Sequence, residues 1–340
     1  MATDGHRGRL LRARRIGIVR TDRLGDMVLT LPMFAALRTR CPEAELHLLC
    51  RRYAVPLAEG LSIIDRIHSV DELPNGIGSV LDGERFDVVF LPHMRGADCW
   101  KVRRAGVPLR VGSAYRWYSW LLNHRIRDHR SEAKFHEEEY NTRLIESVLG
   151  EKVATVLQRP VVNAAAAARV AERLAGKGIG PENGLIVLHP GTGGSSYDWS
   201  AERFGLLGAA LAGGAGTRIV VTGIESERAL CETVERAAGS AARVVSLCGE
   251  LDLTEMIALL DRTTMLAANS TGVLHVAAAL GTPVLGFYPL SASHSPARWG
   301  PYTSRAVVVS PPADQPDAME LITVEAALNA ARRLLSETAR

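Results

Sequence analysis

Short apolar runs alternate with longer amphipathic segments along most of the chain. The apolar runs predict β-strands, and the segments with apolar residues at helical spacing predict α-helices. The predicted strands span residues 16–20, 46–50, 87–91, 185–189, 218–223, 244–247, 265–268, 283–287 and 306–309. The predicted helices span residues 26–40, 134–149, 164–175, 201–211, 226–238, 253–260, 273–280 and 324–335. Strands that alternate with such helices indicate an α/β protein with parallel sheets and right-handed crossovers.

The chain has 340 residues, which suits two domains. Arg159-Pro160 precedes an alanine-rich helix, and a Gly- and Pro-rich stretch at 176–184 then leads into a new strand. We therefore predict two Rossmann-like, doubly wound domains, residues 1–160 and 161–340, with a cleft between them. The last helix is a candidate to pack back onto the first domain. Ligands of such sheets bind beyond the carboxyl ends of the strands.

Composition places the chain among globular proteins, with 47% hydrophobic and 23% charged residues. No apolar run approaches the length of a membrane span, and the arginine-rich start lacks the apolar core of a signal peptide. The five cysteines are scattered, without a C-x-x-C pair, which argues against a disulfide framework or a zinc site. These features favour a cytoplasmic protein.

Positive charge is concentrated in two segments, although the whole chain carries a net charge of only +3. Residues 1–15 carry a net charge of +4 and residues 95–130 a net charge of +7, so the remainder is acidic. The second segment interleaves its arginines with Trp100, Trp117 and Trp120. This pattern favours an anionic partner surface or substrate. It matches no recognised nucleic-acid-binding motif, so we expect no nucleic acid partner.

The first candidate site is the sequence R-I-G-I-V-R-T-D-R-L-G-D over residues 15–26. It predicts a strand, a tight turn and the start of a helix, with Asp26 at the carboxyl edge of the strand. A helix N-terminus stabilises a carboxylate as the anion, so the pKa of Asp26 is expected to be low or normal. A structural role, in which Asp22 or Asp26 caps the helix, is the alternative that spacing alone favours.

Two further segments offer backbone amides and hydroxyls to an anion. The sequence H-P-G-T-G-G-S-S-Y-D-W-S over residues 189–200 links a strand to a helix, but it is neither a Walker A loop nor a G-x-G-x-x-G fingerprint. The sequence N-S-T-G-V-L-H over residues 269–275 ends a strand and begins an apolar helix. There Ser270 and Thr271 are candidates both to cap the helix and to bind a ligand. His275 is equally well interpreted as a buried structural histidine.

These segments, in this order, resemble glycosyltransferase family 9, the ADP-heptose:lipopolysaccharide heptosyltransferase family. The resemblance covers nearly the whole chain. It rests on R-x-D-R-L-G-D-x-x-L-T-L-P at residues 20–32, H-P-G at 189–191, L-x-G-x-x-x-L-x-E at 247–255 and S-T-G-x-x-H-x-A-A-A-L-G-T-P at 270–283. The resemblance implies the GT-B fold of two Rossmann-like domains, with the acceptor bound mainly by the first and a nucleotide-diphospho-sugar by the second.

The resemblance also implies a reaction. A sugar, heptose from ADP-heptose, passes with inversion to a lipopolysaccharide-core-type acceptor, and Asp26 is the general base. Loop amides and helix N-termini replace a metal at the diphosphate, so no cofactor or metal is expected. The donor-binding candidates are Thr192, Gly193, Gly194, Ser195, Tyr197, Glu225, Ser270, Thr271, Gly272 and His275.

Two positions depart from the family pattern. Tyr197 stands where the family commonly has the lysine of K-x-W, and Ser270 stands where it commonly has an aspartate. The alternatives are therefore another nucleotide sugar, a protein acceptor, or a nucleotide-sugar-binding protein without turnover. Either Glu225 or Glu227 is placed to hold the donor's hydroxyls or the end of a helix.

The acceptor is inferred from the positive charges of the first domain. An acidic, lipid-linked saccharide suits a surface of arginines and aromatic residues, and peripheral contact with an anionic membrane face is the corresponding expectation. The acceptor-binding candidates are Arg23, Arg51, Arg52, Arg103 and Arg104. The alternative is a solvated face with buried aromatic rings.

Overall fold

The fold was analysed on a computed structural model that describes residues 2–194, 196–212, 216–240 and 244–338. The chain divides into two compact units, one ending at Val161 and the other beginning at Val162. The division lies one residue from the boundary predicted above. Among the described residues, none of the helices combines the length and apolar character needed to cross a bilayer.

The first unit is a parallel sheet flanked by helices. Its strands are β1 (Arg15–Arg20), β2 (Glu45–Cys50), β3 (Arg66–Ser69), β4 (Val88–Leu91), β5 (Leu109–Ser113) and β6 (His124–Ile126). Its helices are α1 (Ala2–Leu11), α2 (Leu24–Val28), α3 (Leu31–Arg40), α4 (Ile77–Gly83), α5 (Gly96–Arg104) and α6 (Glu137–Leu149). The strand order is β3-β2-β1-β4-β5-β6, and each neighbouring pair is parallel.

The second unit repeats this arrangement. Its strands are β7 (Gly184–His189), β8 (Thr217–Val221), β9 (Val244–Ser246), β10 (Met265–Asn269), β11 (Val284–Phe287) and β12 (Ala306–Val309). Its helices are α7 (Ala164–Gly176), α8 (Ala201–Leu211), α9 (Arg228–Ala238), α10 (Leu253–Arg262), α11 (Gly272–Leu280), α12 (Pro296–Trp299) and α13 (Val324–Thr338). The strand order is β12-β11-β10-β7-β8-β9, again parallel throughout.

The central strands are buried on both faces, as their unbroken apolar runs require in a parallel sheet. In β1, every residue after Arg15 is buried. In the second unit, Trp199 stacks on Phe287 with ring centroids 4.1 Å apart, and the apolar face of α13 completes this core. The last helix thus packs within its own unit, and its predicted packing onto the first domain stays a prediction.

The single helix predicted over residues 26–40 is wrong. Helix α2 ends at Val28 and α3 begins at Leu31, with Thr30 at its N-cap and Pro32 in its first turn. Proline has no N–H to bond the carbonyl of Val28, so a continuous helix would lose a hydrogen bond there. The break keeps α2 to five residues, directly after β1.

Candidate functional site

Both sheets have a point where the strand order reverses direction. In the first sheet the chain builds outward from β1 to β3 on one side, then returns to β4 and continues to β6 on the other. In the second sheet β7 and β10 are the corresponding pair. Loops after these strands diverge and leave a crevice at the carboxyl edge, which is where ligands of doubly wound sheets bind. The predicted motifs follow β1, β7 and β10.

A buried arginine organises the crevice of the first unit. Arg20 is the last residue of β1, and its side chain is only 2% exposed. Its Nη2 donates a hydrogen bond to Asp26 Oδ1, and its Nε lies 2.7 Å from Asp22 Oδ1. Across the switch point, His93 in the loop after β4 places Nδ1 3.2 Å from Asp22 Oδ2. Two carboxylates and a histidine are thus gathered around one guanidinium.

The two carboxylates have opposite pKa shifts. Burial raises the pKa of Asp26 to about 6, and Arg20 offsets only part of that effect because the charges of Asp22 and Glu137 add to it. Burial also acts on Asp22, but the hydrogen bond with His93 and the charge of Arg20 outweigh it and lower its pKa. Neighbouring acids with separated pKa values are typical of acid–base sites.

The expectation of a low or normal pKa for Asp26 is therefore wrong. Desolvation and two neighbouring negative charges outweigh the dipole of a helix only five residues long. The capping alternative is not supported either, since Arg23 occupies the N-cap of α2 and no side-chain cap bond forms there. Both carboxylates face Arg20 instead.

Two side chains of helix α6 contact Arg20 in this cluster. Asn141 Oδ1 accepts from Arg20 Nη1 at 3.3 Å, and Asn141 Nδ2 donates to the carbonyl of Leu29 at 3.0 Å. Glu137 Oε1 lies 3.8 Å from Arg20 Nη2 and also accepts from Arg130. Glu137 and Asn141 are one helical turn apart, so both point to the same side of α6. Neither residue was predicted to lie at this site, because nothing in the local sequence links residues 137–141 to residue 20.

Three predicted acceptor-binding arginines lie near the carboxyl edge of the first sheet. Arg23 is exposed at the start of α2, and Arg51 is exposed directly after β2, the neighbour of β1. Arg52 is also exposed, but it pairs with Glu72, and its backbone N–H donates to Asp71 at 2.8 Å. Of the three, Arg23 and Arg51 form no ion pair within the described ranges.

Arg103 and Arg104 lie elsewhere. They belong to the last turn of α5, whose first residue, Gly96, follows the carboxyl end of β4. A nine-residue helix is about 13 Å long, so its last turn lies toward the opposite edge of the sheet from Asp26. Their guanidinium groups stack instead on Trp120 and Trp100, at 5.4 and 5.3 Å from the ring centroids. The structure does not bring these two residues together with Asp26.

In the second unit, a buried asparagine ties the two strands of the switch point together. Asn269 ends β10, and its Nδ2 donates to the carbonyls of Pro190 and Trp199 at 2.7 and 3.1 Å. Its Oδ1 accepts from the N–H of Trp199 at 2.9 Å. Three hydrogen bonds from one side chain therefore fix both ends of the loop at residues 190–199. Asn269 belongs to the motif at residues 269–275, but this role was not predicted from the sequence.

The loop after β7 presents two exposed glycines at its tip. Gly193 and Gly194 have φ angles of 56° and 72°, a left-handed conformation that glycine adopts without strain. The N–H of Gly193 donates to Glu227 Oε1 at 3.3 Å, while Thr192 is buried and bonds Asp198. Ser195, also predicted to bind the donor, lies outside the described residues.

The two candidate glutamates after β8 have different positions. Glu225 is exposed and pairs with Arg228, whose Nε lies 2.7 Å from Glu225 Oε1. Glu227 lies under the loop after β7, where it accepts from Gly193 and, at 3.0 Å, from the N–H of Ile224. The structure thus gives Glu227 a role in holding the loop, while donor binding by either glutamate stays a prediction.

The third predicted segment forms the start of α11. Thr271 occupies the N-cap without a side-chain cap bond, and Gly272 begins the helix. Both residues are partly exposed, as is Ser270, whose side chain bonds Tyr288. His275 is buried in the next turn. The predicted Tyr197 is 48% exposed, and its ring meets that of His294, in the loop after β11, at 5.6 Å.

The motif at residues 247–255 is structural. Asp252 and Glu255 form a capping box at the start of α10, in which Asp252 Oδ1 accepts from the N–H of Glu255 at 2.8 Å. Arg169 on α7 donates to Glu255 at 2.8 Å. This motif therefore fixes α10 against α7. Within the ranges that the structure describes, no cluster of three or more His, Cys, Asp or Glu side chains is placed to hold a metal ion.

The sequence of the chain is similar to those of known glycosyltransferases. The sequence model of glycosyltransferase family 9 (heptosyltransferase) matches residues 80–324. A protein from Haemophilus influenzae described as a putative glycosyltransferase is 28% identical, over 92% of this chain and 94% of its own length.

Solved structures of similar fold include a family 9 glycosyl transferase from Veillonella parvula, with a TM-score of 0.83 and 19% identity over 95% of this chain and 97% of that one. The ADP-heptose lps heptosyltransferase II of E. coli has a TM-score of 0.82 and 20% identity, over 96% of this chain and 100% of its own. These similarities support the α/β fold of two parallel-sheet units.

Proposed function

The chain belongs to glycosyltransferase family 9, and on that premise we propose that it transfers a sugar from a nucleotide-diphospho-sugar to an acceptor hydroxyl, with Asp26 as the general base. The observation that carries this proposal is the position of Asp26 at the carboxyl edge of β1, in contact with the buried Arg20, where burial raises the pKa of Asp26 to about 6. A carboxylate with that pKa is largely ionised at neutral pH, yet it is a stronger base than an ordinary aspartate.

In the proposed step, the Asp26 carboxylate takes the proton of the acceptor hydroxyl. The hydroxyl oxygen forms the new bond to the anomeric carbon, and the bond to the leaving diphosphate breaks with its electron pair. A single displacement of this kind inverts the anomeric configuration. Asp22 does not serve as the base, because its lowered pKa makes it a weak one; it holds Arg20 and His93 in place.

The donor is proposed to bind the second unit, with its diphosphate at the loop after β7 and the start of α11. Gly193, Gly194 and Thr271 are accessible there, and backbone N–H groups at a helix start favour an anion. These groups would neutralise the leaving diphosphate without a metal or cofactor. Because Glu227 accepts from Gly193, a bound phosphate would have to displace that carboxylate or bind beside it.

ADP-heptose is the leading donor, since the family is described as heptosyltransferase. Another nucleotide sugar is the alternative, because Tyr197 and Ser270 lack the charges of the lysine and the aspartate that the family commonly has at these positions. For the acceptor we favour an acidic, lipid-linked saccharide of the lipopolysaccharide-core type at the cytoplasmic membrane face. Arg23 and Arg51, which are exposed on the same edge as Asp26, support that choice over a neutral protein hydroxyl.

Replacement of the proposed base tests turnover against binding. Asp26→Asn keeps the size of the side chain but removes its basicity, so kcat should fall by about 10²–10⁴-fold while the Kd for the nucleotide sugar changes little. Transfer is measured by release of nucleoside diphosphate, and Kd by calorimetry. Asp82→Asn, an exposed aspartate on α4, is the matched control and should leave both values unchanged. Full turnover in Asp26→Asn would contradict the proposal, and donor binding without any turnover in the native protein would indicate a binding protein.

A further inference from the structure

Three of the five tryptophans in the sequence lie exposed within residues 100–120. Trp117 is 86% exposed, Trp120 57% and Trp100 51%. Tryptophan is normally buried to a large extent, and clustered exposed apolar surface marks an interaction site. The alternative of buried aromatic rings at this surface is therefore wrong for all three. Tyr118, by contrast, is partly buried and donates to the carbonyl of Met94 at 2.8 Å, which anchors the segment.

Arginines hold these rings in one surface. Trp100, Arg103 and Arg104 are spaced at three and four residues on α5 and so share one of its faces. Arg104 lies over Trp100, and Arg103 reaches across to Trp120. Cation–π contacts of this kind orient both partners without neutralising the cation. The ring of Trp117 contacts that of Tyr118, with centroids 5.5 Å apart, and joins the cluster to the anchored segment.

The positive charge of this surface is uncompensated. Arg103, Arg104 and Arg116 are exposed, and none lies within ion-pair distance of a carboxylate in the described part of the chain. Elsewhere in the same unit some arginines are paired: Arg66 contacts Glu45 at 2.8 Å, and the partly exposed Arg38 contacts Asp65 at 2.5 Å. A surface whose arginines form no ion pairs with acidic side chains carries a net positive charge, which attracts an external anion.

The position of the surface separates it from the proposed reaction. It occupies the last turn of α5 and the segment beside it, toward the opposite edge of the sheet from Asp26. Binding of an acceptor hydroxyl at Asp26 therefore does not explain why Arg103, Arg104 and three indole rings are exposed here. Binding to a lipid bilayer explains it, because indole rings favour the headgroup region and arginines bind lipid phosphates.

We propose that Trp100, Arg103, Arg104, Arg116, Trp117 and Trp120 form a docking surface for an anionic phospholipid bilayer. The indole rings enter the headgroup layer, and the guanidinium groups contact lipid phosphates. The exposed rings favour a bilayer over duplex nucleic acid, whose phosphate backbone would contact the arginines but leave the apolar faces of the rings in water. The inference does not depend on the sugar that the protein transfers.

Vesicle flotation of the full chain tests the proposal. The protein should float with vesicles of equimolar phosphatidylcholine and phosphatidylglycerol, and remain unbound with phosphatidylcholine alone. Binding should weaken as salt is raised, because salt screens the attraction to lipid phosphates. Floating equally with both vesicle types, or with neither, would overturn the proposal, and so would a preference for duplex DNA over the anionic vesicles in competition.

Variants locate the binding surface. The double variant Arg103→Glu/Arg104→Glu should weaken vesicle binding by at least about 30-fold, since each arginine near an anionic surface contributes about 1 kcal/mol. Arg332→Glu/Arg333→Glu, an adjacent exposed pair on α13, makes the same change in net charge and should bind like the native protein.

The tryptophans are tested separately from charge. Trp117→Ala/Trp120→Ala keeps every arginine and should also reduce binding, because the indole rings no longer enter the headgroup layer. Thermal midpoints of all variants should match that of the native protein, since the altered side chains are exposed. Equal loss of binding in the α13 control, or native binding in both of the surface variants, would overturn the assignment.

Discussion

Asp22 and Asp26 have opposite pKa shifts, although both contact Arg20 and the two acids are only four residues apart. The Arg20 guanidinium contacts both, but Asp22 also contacts His93, while at Asp26 the charges of Asp22 and Glu137 add to the effect of burial. The result is one acid with a lowered pKa and one with a pKa of about 6. Environment, and not residue type, therefore assigns the base.

Removal of the second carboxylate should shift the pH dependence of the reaction. The ionised form of Asp26 is the base, so activity rises as pH increases through its pKa. The charge of Asp22 raises that pKa, so Asp22→Asn should move the acid limb of kcat/KM to lower pH. The measurement is a pH–rate profile, with Asp82→Asn as the control. A limb that stays in place, or moves to higher pH, would show that Asp22 does not act on the base.

The sequence revealed Asp26 but not what surrounds it. Asp22 and Arg20 stand in the same motif, so local sequence could have suggested their contact. Glu137 and Asn141 are more than a hundred residues away, and only the packing of α6 brings them to Arg20. The pKa of Asp26 was mispredicted for the same reason, since it depends on burial and on charges that the motif does not contain.

At the scale of elements, side chains at the ends of strands fix the conformation of neighbouring loops, and Asn269 is the clearest example. Its side chain satisfies three backbone groups of the loop after β7, all of them buried. A buried backbone group that loses its partner costs free energy, so each of these bonds stabilises the loop. The same bonds link the end of β10 to the loop after β7 at the switch point of the second sheet.

Truncation of this side chain should therefore destabilise the second unit. Asn269→Ala removes three buried hydrogen bonds, worth about 3 kcal/mol together, and should lower the thermal midpoint by about 6 to 12 °C. Asn123→Ala is the matched control, because Asn123 also bonds two backbone groups but is exposed, and it should cost far less. Calorimetry checks both. A midpoint no lower for Asn269→Ala than for Asn123→Ala would contradict this role.

The hydrophobic pattern predicted the strands of the second unit well and those of the first unit only in part. All six strands of the second unit were predicted, because each is an apolar run. In the first unit β3, β5 and β6 were missed. β3 has the sequence R-I-H-S and β6 has H-R-I, and both are short and only partly buried, so they carry few apolar residues. Helix α5 was missed because its exposed face is cationic and aromatic.

At the scale of the whole molecule, chemistry is distributed over both units. The first supplies a partly buried acid cluster at the β1–β4 switch point, and the second supplies a glycine-rich loop and a helix start around the β7–β10 switch point. Doubly wound sheets place such groups at their carboxyl edges whatever the residues are, so the fold explains where the sites lie. The residues explain what they can do, and the first unit adds a cationic, tryptophan-rich surface away from its acids.

The central claim is that the Asp26 carboxylate accepts the proton of the acceptor hydroxyl. The most direct test is the pH dependence of sugar transfer in the native protein and in Asp26→Asn, from below to above the pKa of about 6. The native rate should rise with pH through about 6 and then level off, whereas the residual rate of Asp26→Asn should show no such rise. The same rise in both proteins would show that another group titrates, and would contradict the account.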